Sequence, residues 1–481
     1  MFDDDALFTD DDNEMEKAIE KYETMLKNHE ATYFDSEEFE YIIDHYTQHN
    51  QLKNSRQAVE IAISQHPESN ILQIKYARQY LLENNPQRAF DLLQHIERDA
   101  EEPDYFLTLG SCLAALGKSK EAIENYCNAL PFFDEDEKFD LYNAIAYEYQ
   151  KLEKFDLALD FYKKALPYAD EQDTIYHDIR SCFVSTNKSD EAIAFFQNLI
   201  DNNPYDSKAW ASIGDCYRMA AQFEDAIDPY EFALSINPKD LWANLHLADI
   251  YYDLERYQES IDTLEEAMRN GVDTSMTRAS LGDCYYRLED LDTAEMHFQK
   301  AIDINPLCGS GWAGLGYVFS DRGDSQKAIK LFKKAYELEP WETDYLYSIA
   351  SDYRKLNDFE QAMDYLMKIQ ELTPNDAEVY FLIADLYGEQ DQIENAINTL
   401  KYGLQQTNNS SILLYLLAYA LILKGERDTG LNVLNQALDT DFEGYKEFLE
   451  YDHDLLANDV EILQLIEQNK QNRNTDVEPI A

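Results

Sequence analysis

Basic residues are scarce in this chain. Against 95 aspartates and glutamates stand 40 lysines and arginines, which leaves a formal net charge of −55 over 481 residues. Nucleic-acid binding relies on neutralising phosphates with Lys and Arg, so it is not expected here. An anionic membrane surface would be repelled for the same reason, whereas basic proteins or peptides are electrostatically matched. The same charge keeps an extended chain soluble. Long apolar runs are missing too: the longest, Ile412 to Leu423, has about a dozen residues and is too short for membrane insertion. Met1 to Asp12 carries six Asp and no base, the opposite of a secretory leader. A cytoplasmic location is therefore expected, and matches such as Asn187-Lys188-Ser189 carry no glycosylation meaning.

Reactive constellations are equally thin. The six cysteines show no Cys-x2-Cys pairing. His45 and His49 are spaced i, i+4, but Tyr46 stands where a metalloprotease helix needs Glu. No Ser/His/Asp or Cys/His arrangement stands out. Gly309-x-Gly311-x-x-Gly314 matches the dinucleotide fingerprint, yet that motif needs a preceding strand, and here it lies within a helical pattern beside Trp312 and Leu315. Its glycines are expected to weaken that helix and leave it open or mobile. No catalytic residue, metal or cofactor is expected, and the chain reads as a non-enzyme.

What the chain does have is a repeat of 34 residues, unbroken from Asp173 to Gly444. Its clearest copy reads Trp210, Ile213, Gly214, Tyr217, Ala226, Tyr230, Ala233 and Pro238; another has Trp312, Leu315, Gly316, Phe319, Ala328, Phe332, Ala335 and Pro340. Extended in both directions, the pattern gives about twelve units. They start at Ser36, Asn70, Pro103, Phe139, Asp173, Ser207, Leu241, Ser275, Gly309, Thr343, Ala377 and Ser411, with register slips near Glu102 and at Glu137–Lys138.

Positions are numbered here from the start of each unit. Positions 4, 7, 8 and 11 share one face of a first helix, and positions 20, 24 and 27 share one face of a second. Asn50, Asn84, Gly117, Asn187, Gly323, Asn357 and Gly425 mark the turn between them as helix stop signals. Prolines at position 32 (among them Pro204, Pro238, Pro306 and Pro340) end the second helix. Small residues at positions 8 and 20 let the backbones approach while aromatics at 4, 11 and 24 fill the gaps. Cys112, Cys182, Cys216 and Cys284 all fall at position 10, where a small buried residue is required. Pro229 sits inside a second helix, where it either kinks the helix or, being near its start, is tolerated.

On these residues the chain resembles the tetratricopeptide-repeat (TPR) family over residues 36–444. The match is weaker at the ends, where Ile43 and Ser55 occupy small positions and Phe442 replaces the proline. The resemblance implies an all-α, right-handed α-solenoid of helix-turn-helix units, with first helices lining a concave groove and a role as a docking platform. Residues 13–35 are expected to cap the first unit through Ala18, Tyr22 and Met25. Residues 445–470 should cap the last through Phe448, Tyr451, Leu455, Ile462, Leu463 and Ile466. Residues 1–12 and 471–481 are expected to be disordered tails.

If first helices line the groove, positions 2, 5, 9, 12 and 13 face it. Position 9 supplies Asp215, Asp249 and Asp283 in successive units, then Tyr317, Ser351 and Asp385. Position 12 supplies Arg218, Tyr252 and Tyr286, and position 13 supplies Arg287. A row of carboxylates with interleaved tyrosines would attract Lys or Arg of an extended peptide, with tyrosine rings as cation–π partners. Each Asp could equally pair with a neighbouring Arg. TPR co-chaperones that clamp an acidic chaperone C-terminal tail use Lys at position 5 and Asn at position 9. Here position 5 holds Asn143, His177, Ala211 or Leu245, so such a tail is not an expected ligand.

The reading is therefore a non-catalytic scaffold or adaptor for a basic or neutral protein or peptide. The alternative is a regulatory or carrier subunit of a larger enzyme or secretion assembly, touching partners by its convex face or ends. A TPR array fused to a catalytic domain lacks the space, since only about 35 residues precede the repeats and about 37 follow.

Overall fold

The structure, a computed structural model, describes residues 10–28, 31–96, 103–134, 137–169 and 172–475. Among the described residues every regular element is helical. They group into two compact units, Met1–Asn237 and Pro238–Ala481.

The first unit opens with helix Asp10–Asn28 and continues as helical hairpins, from Ser36–Gln48 paired with Leu52–Gln65 to Ser207–Met219 paired with Phe223–Ile236. The second runs from Leu241–Asp253 paired with Tyr257–Arg269 to Ser411–Lys424 paired with Arg427–Thr440. It closes with Tyr445–Tyr451, His453–Leu456 and Val460–Thr475. First helices begin where the repeat places them, with two differences. One starts at Gln172 rather than Asp173, and Thr343 is the N-cap of Asp344–Lys355 rather than its first residue.

Part of the acid excess goes into starting helices. Asp206, Asp240 and Asp376 each cap a first helix by accepting backbone N–H bonds, and Asp35 forms a reciprocal capping box with Glu38. The hairpin turns all require a left-handed residue. Asn50, Asn84, Gly117, Asn187, Gly323, Asn357 and Gly425 adopt it, as the sequence suggests. Asp391, which also tolerates it, and Glu153, Ala221, Glu255 and Glu289, which have no intrinsic preference for it, adopt it at the same place. There the packing of the two helices dictates the turn and the residue complies. Pro131 and Pro167 come earlier than position 32, so the second helices Ser119–Ala129 and Phe155–Ala165 end sooner, each in a 3-10 turn. Helix Phe223–Ile236 runs unbroken through Pro229.

In several hairpins the core is a small residue at position 8 lying on an aromatic ring at position 24; elsewhere a leucine or valine such as Leu264 or Val59 takes the place of the ring. A methyl group added to Gly282 would lie 2.5 Å from the Phe298 ring, and one added to Gly316 would lie 2.6 Å from the Phe332 ring. Gly110 meets Tyr126 and Gly214 meets Tyr230 in the same way. The Phe298 ring is also within 2.2 Å of a methyl placed on Gly314, in the next first helix. One ring thus spaces two hairpins. The glycine-rich stretch expected to be open or mobile is instead tightly packed, because its glycines are the places where rings and helices meet.

The ends are covered. Tyr22 is buried and its ring meets Phe34 edge-on at 5.8 Å. Phe448, Ile462 and Ile466 bury against the last hairpin, whereas Leu455 and Leu463 remain exposed. The final helix continues to Thr475, past the Gln471 at which a tail was expected. Arg473 holds it there by donating to the Leu438 and Asp439 carbonyls at 2.6 and 3.0 Å. The remainder of that tail, and residues 1–9 of the other, lie outside the described residues.

Two stability outcomes follow from this packing. Gly316→Ala should cost about 1–3 kcal/mol by overpacking, while Gly388→Ala, which meets nothing within 4 Å, should gain up to about 1 kcal/mol from helix propensity. Urea denaturation of the two variants checks the contrast. Ala221→Gly should relieve the left-handed strain at φ 57° and stabilise by about 0.5–1 kcal/mol after the added chain entropy is counted. A loss of stability in the same assay would contradict it.

Candidate protein-binding face

The residue sets that imitate active sites have structural roles. Cys112, Cys182, Cys216 and Cys284 are buried, and burial raises their thiol pKa values to about 12, 11, 12 and 11. They are held as thiols and pack as small apolar groups. The His45 and His49 rings lie 4.3 Å apart, with the His49 Nδ1 2.8 Å from the His45 carbonyl oxygen. Among the described residues, no group of three or more His, Cys, Asp or Glu side chains is placed to hold a metal.

The candidate face is divided between the two units. In the first, Asp215 is only 6% exposed. Tyr230 donates to its Oδ1 at 2.5 Å, Arg180 reaches its Oδ2 at 2.9 Å, and Arg218 lies 3.7 Å from Oδ1. The expectation that Asp215 faces a peptide is corrected here. The carboxylate is drawn inward by the hydroxyl of the position-24 tyrosine and by an arginine one repeat earlier, and its charge is used within the fold. Arg218 is half-buried beside it.

In the second unit the structure brings together Asp249, Tyr252, Asp283, Tyr286, Arg287 and Tyr317. Helices Leu241–Asp253, Ser275–Arg287 and Gly309–Asp321 carry them one repeat apart. Arg287 donates to the Tyr252 hydroxyl at 3.3 Å and lies over that ring at 5.4 Å and over the Tyr257 ring at 5.2 Å. Tyr286 donates to Asp321 at 2.7 Å, and its ring is 6.1 Å from Tyr317. Ser348 donates to the Tyr317 hydroxyl at 3.3 Å. Further along, Arg354 donates to Asp385 and Glu389, each at 2.6 Å, so Asp385 is ion-paired rather than waiting for a ligand.

These contacts obey one rule. Position 12 of a repeat bonds position 13 of the next: Tyr252 with Arg287, Tyr286 with Asp321, Ser320 with Lys355, Arg354 with Glu389. Asp321 and Glu389 were missed because each repeat was read for its own face; complementary types 35 residues apart were the available signal. Asp352 was missed for another reason. It sits at the cysteine position, buried, accepting from Ser320 and Ser325 at 2.8 Å each.

Asp283 stands outside this ladder. It is half-buried, and among the described residues no hydrogen bond or ion pair reaches its carboxyl. Burial first, and the Asp249 charge second, push its pKa up to about 7. Asp249 itself is exposed. The result is a desolvated acid beside a second acid, with the Tyr252, Tyr286 and Tyr317 rings on the same face.

Stacked helical hairpins with a polar, aromatic face are a protein-docking architecture. A tetratricopeptide-repeat model matches residues 139–169, and a model of the cilia and flagella-associated protein 70 C-terminal domain matches residues 201–412. The chain belongs to the tetratricopeptide-repeat family. Similar solved structures include that of the APC/C hetero-tetramer Cut9–Hcn1, at 18% identity over 86% of this chain and 97% of that one, with a TM-score of 0.43. Another is PilW, a type IV pilus biogenesis factor, at 18% identity over 45% and 100%, with a TM-score of 0.40. A third is YrrB, a TPR protein with an unusual peptide-binding site, at 22% identity over 38% and 95%, with a TM-score of 0.30. A search of curated proteins finds no match. The fold points to protein–protein interaction, and proteins of this family are generally non-catalytic scaffolds. Among the described residues, no helix is long and apolar enough to cross a membrane.

A carboxyl whose folded pKa lies above its ordinary value of about 4 favours folding only while protonated. Its contribution falls as pH climbs from there to about 7 and stays lost above. Asp283→Asn should therefore gain stability over the parent chain at about pH 8 and none at about pH 4, by urea midpoints. An equal shift at both values would contradict the desolvation of this group.

Proposed function

We propose that this protein is a non-catalytic scaffold whose second unit receives a basic segment of a partner protein on the face bearing Asp249, Tyr252, Asp283, Tyr286 and Tyr317. The observation that carries the reading is the unpaired, desolvated carboxyl of Asp283 next to Asp249, on a face where Arg287, Asp321 and Asp385 are already bonded. A desolvated acid beside a second acid favours a nearby cation, and a Lys or Arg side chain supplies it. The tyrosine rings add flat contact area at low entropic cost. Tyr252 is the weaker cation–π partner, since Arg287 already lies over it. The chain's net charge of −55 draws a basic partner in over a longer range.

A short fluorescent peptide alternating arginine and glycine provides the test, with a glutamate–glycine peptide as its counterpart. Asp283→Asn should weaken binding of the arginine peptide roughly tenfold, the size expected for losing one charge-assisted bond. Asp385→Asn should leave it unchanged. Affinity should rise with pH through about 7 as Asp283 ionises and fall with salt. Undiminished capture by the Asp283 variant, or equal capture of the glutamate peptide, would refute the assignment.

A further inference from the structure

A different part of the second unit presents apolar side chains that the fold does not use. Leu307 is 70% exposed and Trp341 76%. Both follow the proline that ends a second helix, at the same position of consecutive repeats. Ile304, on the last turn of the second helix before Leu307, is 49% exposed, and Leu372, at the same place two repeats on, is 50% exposed. Scattered exposed apolar residues are normal and need no explanation. Leu307 and Trp341 instead recur one repeat apart, in register with the array. Elsewhere in the second unit position 33 holds Lys239, Asp273, Asn375, Asn409 and Glu443.

The turns that carry them are fixed. The Trp312 indole donates to the Pro306 carbonyl at 3.0 Å, and the Leu307 N–H donates to Asn305 Oδ1 at 3.1 Å. In the next turn Tyr345 donates to Glu339 at 2.6 Å, and the Glu342 N–H to the Glu339 carbonyl at 3.1 Å. Leu307 and Trp341 are therefore presented on ordered backbone, which lowers the entropic cost of binding. Packed helices lie about 8–10 Å apart, close to the rise of about 10 Å across seven residues of an α-helix. One helix laid across both turns would meet Leu307 and Trp341 with residues spaced i and i+7.

Charge selects the occupant. Asp303, Asp344 and Glu371 are exposed around the same edge, and a second copy of a chain carrying −55 would be repelled. We infer that the Pro306 and Pro340 turns form a docking edge for an amphipathic helix of a partner protein, one with an apolar ridge flanked by lysine or arginine. This surface lies at the start of the first helices, whereas the Asp249–Asp283 face lies toward their ends, and the inference goes beyond that reading.

The test uses the full chain labelled with fluorotryptophan and three peptides. One places leucines on a single helical face with lysines opposite. The second has the same composition in an order that is not amphipathic, and the third replaces lysine by glutamate. On titration with the first, the Trp341 fluorine resonance should shift while that of Trp210 stays in place. Trp341→Ser and Leu307→Ser should each weaken binding about tenfold, as expected for central apolar contacts, with helical dichroism unchanged. In the Asp283→Asn chain the Trp341 resonance should still shift with this peptide, which separates the edge from the acidic face. An unmoved Trp341 resonance, parent-like binding by both serine variants, or equal binding of either control peptide would overturn the inference.

Discussion

Much of this protein's surface chemistry depends on a contact hidden inside several of its hairpins. A residue with little or no side chain at position 8 lets the first helix rest on the aromatic ring of the second, as Gly282 does on Phe298 and Gly316 on Phe332. That contact sets the distance between helices. Where a ring also meets the next repeat, as Phe298 meets Gly314, it sets the distance between hairpins too. With the spacing fixed, positions 9, 12 and 13 of successive first helices come within side-chain reach, and the Tyr252–Arg287 and Tyr286–Asp321 bonds follow from it. A polar ladder whose partners lie 35 residues apart is the outward sign of a packing rule 34 residues in period.

The fold was legible because each of its local signals is redundant. Helix starts, left-handed turns and terminal prolines recur many times, so a weak copy such as the Glu255 turn is read from its neighbours. The face was less legible because its outcome depends on which partner a side chain finds. Asp215 and Asp283 occupy the same position and look alike in sequence. One is drawn inward by Tyr230 and Arg180; the other has a phenylalanine at position 24, which offers no hydroxyl, and is left without a donor. Asp352 shows the converse, a carboxylate buried where other repeats bury a thiol, because Ser320 and Ser325 are present to bond it.

These differences shape the functional account. A scaffold needs a regular frame and a few positions where the frame's own bonding is incomplete. Most charged groups on this face are spent on each other, which stiffens the stack and removes them as ligand contacts. Asp283 is not spent in this way, and its neighbours are aromatic rings suited to a bound cation. The apolar turn edge is a second departure from the same economy, since leucine and tryptophan in a solvated turn contribute nothing to the core. Acidic chemistry on one face and apolar chemistry at one edge would let a basic amphipathic partner be recognised by two independent features.

Hydrogen–deuterium exchange of the full chain, alone and with a partner retrieved by affinity capture, tests the central claim most directly. The account predicts slowed exchange in the first helices Leu241–Asp253 and Ser275–Arg287 when the partner is bound. Protection confined to second helices or to the terminal helices, with those two first helices unchanged, would contradict it.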